Sequence, residues 1–515
     1  MKKLLLIVGL ISYTAISHAQ TDAFGFFEDA LRFSQSNYSL GSSARMQAIG
    51  GAQISLGGDI SSALSNPAGL GFFNRSVFTV SPSMNFTNSN TDYFIEGDNN
   101  GFRNAEENNS VNFNIANIGA VINWNKGRFT SDKFKGGSLA ISVSRANSFR
   151  LNRSYEGEND FNSIIDFYAD DFGGYYGDLA FEQYLVDEAV IVNEFGQEEF
   201  VYQPYYQGDG FRLPIQNETI EEKGSEYSTN IAWGGNYDDR LYFGGGMGLR
   251  FSNFRQNRVY TESEFLRSDD GEPDNLLNSI NQFDDLTMRS TGINFNAGVI
   301  ARPVNFLTLG ISYTSPTFYS VSSEFVGDLQ ANWFDGVTFD DGSGDVVDLS
   351  TIPISLGEIE VTDYNIRTPS RLGLGTTLFV GKSGFLSGDV EFIDYGNANI
   401  NSNDFNTSGD NQAIEDLYAS VMNIRVGGEY RIQNFMLRAG YALLPSPYQN
   451  SNLNEQTSVS FGLGYRNQDY FLDFAVVSSN RTIEYLPYSS FDGSQPTTSS
   501  EIDNVAVTAT FGLNF

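Results

Sequence analysis

Four arginines stand at alternating positions in segments that otherwise read as strands: Arg250 in LYFGGGMGLRF, Arg371 in SRLGLGTTL, Arg425 in NIRVGGEYR and Arg438 in FMLRAGY. Glu429 shares the parity of Arg425, and FLSGDVEF sets Asp389 and Glu391 on the polar face of its own strand. A guanidinium matches a carboxylate in planar, two-point geometry. These side chains can therefore pair with one another as ladders that stiffen a wall, or one or two of the arginines can meet the carboxylate of a ligand. Neither use needs a nucleophile. The sequence has no Cys, and its single His, His18, lies in an N-terminal leader-like segment. A Ser-His-Asp arrangement is then unavailable downstream, so the expectation is a protein that is not an enzyme, with no catalytic residues and no cofactor. The acidic runs DGEPDN (270–275) and DDGSGD (340–345) gather carboxylates of the kind hard cations favour. Neither has the spacing of a calcium-binding loop, so they read as solvated loop and no metal site is expected.

Strands must position these side chains, because after the leader no stretch has the roughly 18 consecutive apolar residues of a spanning helix. Gly (52), Phe (43) and Tyr (27) are abundant, a composition of strands and turns. The net charge of -33 argues against nucleic acid as a partner. Strands are expected to begin near residues 76, 111, 137, 227, 241, 287, 306, 361, 385, 422, 435, 456, 470 and 504, fourteen in all. The even-numbered connections are short, as in NYDDR, RPVN, GKSG, RIQN and RNQD, with a longer KGRFTSDKFKG. The odd-numbered ones are mostly long, at 89–110, 150–226, 257–286, 326–360, 401–421 and 487–503, and carry much of the acid. Short turns alternating with long loops on an even strand count is the pattern of an outer-membrane barrel. Apolar residues of one parity would face lipid, and the charges named above would face the lumen. The chain closes with VAVTATFGLNF, whose last residue, Phe515, resembles the C-terminal insertion signal that barrel-assembly machinery reads.

The start of the chain differs. Residues 1–19 carry Lys2, Lys3, an apolar run and Ser17-His18-Ala19, the layout of a cleaved signal peptide. Residues 20–75 hold a helix-like FFEDALRFSQ and then a run dense in small residues, which can pack against other backbone inside a barrel. The aromatics Phe24, Phe26 and Phe27 could reach into the lumen from here as ligand contacts. From residue 76 to 515 the pattern is barrel.

The run ARMQAIGGA, the segment GGDISSALSNPAGLGFF with Asn66-Pro67-Ala68, and a first strand directly after it resemble the N-terminal hatch of the FadL-type transporters. That group includes TodX-like proteins and relatives labelled hemin receptors. LGISYTSPT, TPSRLGLGTTL, VGGEYRIQNFMLRAGYALLPSPY and FGLGYRNQDYFLDFAVV are similar to the family's barrel strands. The resemblance implies an all-β fold: a fourteen-stranded antiparallel transmembrane β-barrel with an N-terminal hatch inside the lumen, in the outer membrane of a Gram-negative bacterium. It implies passive uptake of hydrophobic compounds, long-chain fatty acids foremost and aromatic compounds next. The ligand would be held in an apolar pocket under the outer loops, the hatch at Asn66, Pro67 and Ala68 would shift, and exit would be sideways through a gap in the wall. Outer-membrane lipids are expected around the barrel. Two other roles stay open: a docking subunit of a type IX secretion system, or a haem receptor, for which Tyr or Met would have to ligate the iron.

Overall fold

The structure, a computed structural model, describes residues 25–35, 39–95, 103–126, 131–159, 161–171, 173–192, 197–205, 214–265, 276–340, 346–488 and 495–515. The leader at 1–19, Phe24 and the acidic runs at 270–275 and 341–345 lie outside them. No described helix is long and apolar enough to cross a membrane.

Fourteen antiparallel strands make the wall: β1 (Val77–Ile95), β2 (Glu106–Asn125), β3 (Phe134–Ser148, resuming as Leu151–Glu158), β4 (Ile215–Tyr237), β5 (Leu241–Ser263), β6 (Leu277–Val304), β7 (Leu307–Thr314 and Phe318–Trp333), β8 (Glu360–Arg367 and Arg371–Val380), β9 (Gly384–Asp394), β10 (Ser420–Ile432), β11 (Phe435–Leu444), β12 (Gln456–Arg466), β13 (Tyr470–Tyr485) and β14 (Pro496–Asn514). Each pairs with its neighbour in sequence, and β14 returns to pair with β1 from Val77 opposite Asn514 to Ile95 opposite Pro496. The ring is thus a closed transmembrane barrel, in which every strand finds two partners and no edge is left in lipid.

The alternation explains which face goes where. Near the short-turn end, Leu241, Phe251, Leu309, Ile311, Leu437, Phe461, Leu463 and Phe511 are exposed on the outside, while Tyr242, Arg250, Arg438 and Ser460 are buried within. Away from that end the strands run on further than the expected strand starts allow. Residues 215–226, 257–263, 277–286 and 326–333, which read as loop, are wall. Here the outer surface carries the pairs Lys223–Glu221, Arg255–Asp285 and Arg289–Glu324. An outward Arg or Lys near the bilayer midplane would cost about 2–4 kcal/mol, so these upper strands stand in water. With water on the outside the apolar alternation fades, and with it the sign of a strand.

The loop expected at 150–226 correspondingly shrinks to the span between β3 and β4. It forms helices Ile164–Asp170 and Tyr175–Glu182 and a hairpin, Val186–Val192 with Glu198–Pro204. Ile165, Tyr168, Leu179 and Leu185 pack with Tyr260, Ile280, Leu329 and Trp333 of the wall, so the cap is fastened to the rim of β5 to β7.

Before β1, the chain from residue 39 to 73 lies inside the ring. It hydrogen-bonds β14 at Thr510, β12 at Ser460, β9 at Asp389, β7 at Ile311 and β6 at Asn296. Its small residues permit this contact. Gly50, at φ +67°, sits with its backbone against Tyr441, where an added Cβ would fall 2.9 Å from backbone atoms.

Candidate functional site

The Asn66-Pro67-Ala68 turn is a clamp between this inner segment and the wall. Asn66 is fully buried. Its Oδ1 accepts from the Ala68 N–H (3.1 Å) and so starts the 3-10 turn Pro67–Phe72, with Pro67 where an N–H would be wasted. Its Nδ2 donates to the Ile54 carbonyl (2.7 Å) and across to the Ile311 carbonyl of β7 (3.3 Å). Gly298 of β6 lets the Asn66 side chain in, since any Cβ there would collide with it. The backbone from Pro67 to Gly71 lies flat on Gly234 of β4 and Gly244 of β5 for the same reason, and Gly71 lets it sit against the Gly235 carbonyl.

The four arginines all face the lumen. Arg438 bridges Glu429 (2.8 Å) and Asp473 (2.7 Å), and Glu429 also receives Arg431 (2.6 Å) and Arg45 of the inner segment (3.5 Å). Arg425 meets Glu391 at 3.4 Å, beside Asn423, which donates to the same carboxylate (3.0 Å). Asp389 accepts from the Ile54 N–H (2.8 Å). Arg250 donates to Glu226 (2.5 Å), which also receives the Tyr319 hydroxyl (2.9 Å). Arg371 lies 3.9 Å from Glu391 and donates to the Ser34 carbonyl (2.6 Å). Ladders across the wall, one of the two uses expected, therefore account for most of the charge. Removing one partner of such a buried pair costs about 3–5 kcal/mol because the other charge is stranded.

Above the clamp an amphipathic helix, α1 (Phe27–Ser34), lies across the lumen. Ala30, Leu31 and Phe33 pack against Tyr319, Val321, Tyr364, Ile366, Ile393 and Tyr418. Phe26 stacks on Phe405 at 4.6 Å between centroids and tilts on Tyr364 at 4.9 Å. Of the aromatics expected as ligand contacts, Phe26 lies just before this helix and Phe27 opens it, both packed against the buried cluster of the wall. The tyrosines that line this chamber were not singled out in the sequence, although a signal for them exists. In the lower halves of β7 and β8, Leu309, Ile311, Leu372 and Leu374 point outward. In the upper halves Tyr319, Val321, Tyr364 and Ile366 are buried inside. Each strand changes parity at a break, Ser315-Pro316-Thr317 in β7 and Thr368-Pro369-Ser370 in β8. A one-residue slip exchanges the two faces of a strand, and Pro is tolerated where the ladder lapses.

The two breaks lie side by side. Main-chain pairing of β7 with β8 stops at Thr314 opposite Arg371 and resumes at Phe318 opposite Arg367. Between them Thr317 N–H donates to the Thr368 hydroxyl (2.9 Å) and Thr368 N–H to the Thr317 carbonyl (3.0 Å). Inside the break an enclosed cavity of about 30 Å³, room for about one water, is bordered by Ser34, Ile54, Arg250, Thr317, Thr368 and Arg371. Outside it a groove of about 620 Å³ passes Gly292, Phe318 and Ile366 and also reaches Arg250.

At the rim, Glu262 is fully buried and ties the cap down. It accepts from the Ser163 hydroxyl, the Ile164 N–H (2.8 Å), Gln216 (2.7 Å) and Tyr260 (2.8 Å). Burial pushes its carboxyl up to about 7, against these donors, which favour the ionised form. Among the described residues no group of three or more Asp, Glu, His or Cys is placed to hold a metal ion.

Solved structures similar to this one include a FadL homologue of Pseudomonas aeruginosa, at 12% identity over 92% of this chain and 98% of that one, with a TM-score of 0.53. The toluene transporter TodX of Pseudomonas putida (13%, 92% and 98%, TM-score 0.48) and the toluene transporter TbuX of Ralstonia pickettii (12%, 92% and 98%, TM-score 0.47) are also similar. No family model and no curated protein matches the chain. The likeness to the FadL homologue is one of fold: this chain has the FadL-type barrel.

Proposed function

We propose that this protein is an outer-membrane channel of a Gram-negative bacterium for passive uptake of hydrophobic compounds, long-chain fatty acids foremost, with the segment at 39–73 as its hatch. The observation that carries the reading is a closed membrane-crossing barrel with one continuous segment inside it, an aromatic cluster above that segment and a broken wall beside it. A water-insoluble ligand gains roughly 25 cal/mol for each Å² of apolar surface it buries, so an apolar chamber can draw it from the medium without an energy source. In this reading Asn66, Pro67 and Ala68 release the hatch, and the ligand leaves sideways where β7 and β8 lose their shared ladder. In the same reading Arg250 and Arg371, which border the cavity at that break, meet its head group. Arg425 and Arg438 keep the wall and hatch in register. Phe515, at the end of β14, serves insertion by the assembly machinery.

The test is uptake of labelled oleate by cells with the gene, without it, and with Asn66→Ala/Pro67→Ala, the variant's presence in the outer membrane being checked by blot. Uptake lost in both mutants supports hatch-gated transport, and uptake unchanged in the deletion strain removes long-chain fatty acids. A second reading, a docking subunit, is favoured by the cap hairpin, which holds Val190, Val192 and Phe200 out to solvent. Recovery of a stoichiometric large partner with the purified barrel, in a strain whose oleate uptake is normal without the gene, would replace the first reading by this one.

A further inference from the structure

The outer surface of the wall carries a groove between β9 and β12. Gly428 of β10 and Ala439 of β11 stand opposite one another in register, where their neighbours along the two strands, Val426, Tyr430, Leu437 and Tyr441, are large and exposed. With Leu386 and Phe461 these residues border about 720 Å³ of open space against the wall. In lipid no hydrophobic force presses a chain onto such a surface, so a lasting seat there needs close packing and a held head group. A belt of outward aromatics fixes the level of the head groups. Phe435, Tyr465, Tyr470 and Phe511 run from strand to strand beside the short turns, at 5.3, 6.1 and 6.5 Å between successive centroids, and rings of this kind lie at the membrane–water interface. The turns beyond them therefore stand among phosphates. Although the net charge of the chain is -33, all five short turns from β4–β5 to β12–β13 hold a basic residue in or beside them: Arg240, Arg302, Lys382, Arg431 and Arg466.

At the foot of the groove the turn Gly381-Lys382-Ser383 holds no acid, and Lys382 is exposed between Val380 and Ser383, both of which line the groove. Arg431 is already turned to Glu429 (2.6 Å). Lys382, in contrast, has no ion-pair partner among the described residues. We propose that the groove seats an acyl chain of an anionic phospholipid, with the lipid phosphate at Lys382. The proposal rests on the outer-membrane reading above, in which the short turns face the periplasm and the leaflet at this level is phospholipid. Lys382 can lay its methylene stem along the groove and keep its ammonium among the head groups, where a basic side chain is drawn to anionic lipid. A zwitterionic head brings its own cation to the phosphate and competes with Lys382, and a glycerol head does not. Behind the groove Gly427 and Gly440 carry the inner segment at Ile49 and Gly50, so a seated chain braces the sheet on which that segment rests.

The test uses the full-length barrel in a non-ionic detergent, titrated with dioleoylphosphatidylglycerol and, as the control with the same chains, dioleoylphosphatidylcholine, the bound lipid being counted by native mass spectrometry. Phosphatidylglycerol is expected to bind about tenfold more tightly than phosphatidylcholine, and to raise the temperature at which the barrel loses its compact mobility on a gel. Lys382→Glu is expected to abolish the preference. Gly428→Leu/Ala439→Leu, which fills the groove, is expected to remove the bound lipid of either kind, and Arg240→Glu, in a turn away from the groove, to change neither result. If the double leucine variant does not assemble, Ala439→Leu alone narrows the floor and is expected to weaken binding in the same direction. Equal binding of the two lipids, or binding undiminished by the filled groove, would overturn the proposal. A loss with Arg240→Glu as large as that with Lys382→Glu overturns it as well, by showing a diffuse basic collar without a seat. Recovery of the protein with the inner membrane on fractionation separately removes the outer-membrane reading.

Discussion

The wall is built in two ways. Along the β14–β1 seam the ladder keeps one register from Val77 opposite Asn514 to Ile95 opposite Pro496, lapsing at Ser81 and Pro82 without a change of face, and the lumen side is sealed by small hydroxyl pairs: Ser81 with Thr510 and Ser83 with Thr508 at 2.8 Å, Thr91 with Ser500 at 2.9 Å. From there through β10, Arg45 of the inner segment joins the buried Glu429–Arg438–Asp473 network of the wall. In β7 and β8 the ladder lapses, both strands exchange faces, and the gap is bridged by one main-chain bond, Thr368 N–H to the Thr317 carbonyl, and by the Thr368 hydroxyl. One sector is made to stay shut. The other spends its regularity on turning an apolar surface from lipid towards the chamber.

The largest way to break this contrast is in the locked sector. Arg438→Ala strands Asp473 while Glu429 keeps Arg431 and Arg45, and is expected to cost about 3–5 kcal/mol, read as a lower temperature at which the barrel loses its compact mobility on a gel. Gly298→Ala drives a methyl group into Asn66 at the clamp. Overpacking of this kind costs about 1–3 kcal/mol, and we expect leakage of small solutes with the barrel still assembled. Gel mobility that is unchanged with no leak would mean that the clamp does not hold the hatch. The absence of native Cys makes a third comparison clean. Thr317→Cys/Thr368→Cys, oxidised across the break, is expected to lower uptake about tenfold, about 1.4 kcal/mol in the barrier. Ser83→Cys/Thr508→Cys across the seam should leave uptake as it was. Equal effects from the two crosslinks would erase the distinction between the sectors.

The smallest effect is expected at the cap. Glu262 is raised from 4.5 to about 7 in the folded protein, so its contribution to cap docking is complete below about pH 4.5 and is lost as pH rises through about 7. Protease cleavage within 161–205 should therefore be faster at pH 8 than at pH 5 once protease activity is normalised, and Glu262→Gln should flatten the difference. A pH-independent rate in the native protein would show that the four donors hold the carboxylate ionised throughout.

The ring could be read from the chain where lipid imposes alternation. The order of fourteen strands, the short turns and the outward Leu309, Phe461 and Phe511 follow from a period of two with one greasy face. Where water lies outside, as at Lys223 and Asp285, polarity no longer reports which way a residue points, and the upper wall looked like loop. The arginines were correctly assigned a parity, but parity does not tell which carboxylate is nearest, because that depends on register between strands. The chamber was encoded in the apolar parity change across Ser315-Pro316-Thr317 and Thr368-Pro369-Ser370. The packing of α1 was not, since nothing in FEDALRFS specifies which surface its apolar face will cover.

The seam has a consequence for assembly. Its two strands are separated by nearly the whole wall in sequence, so their pairing closes the longest loop in the molecule and is entropically the most delayed. The inner segment precedes β1 and touches β4, β5, β6, β7, β9, β12 and β14, so it is expected to lie in the half-curled sheet before the last strand arrives. Coming late, it would face a closed cylinder. Bulky replacements at Gly234 and Gly244, where a Cβ would strike Pro67, are then expected to be felt first as slow or incomplete insertion into the membrane.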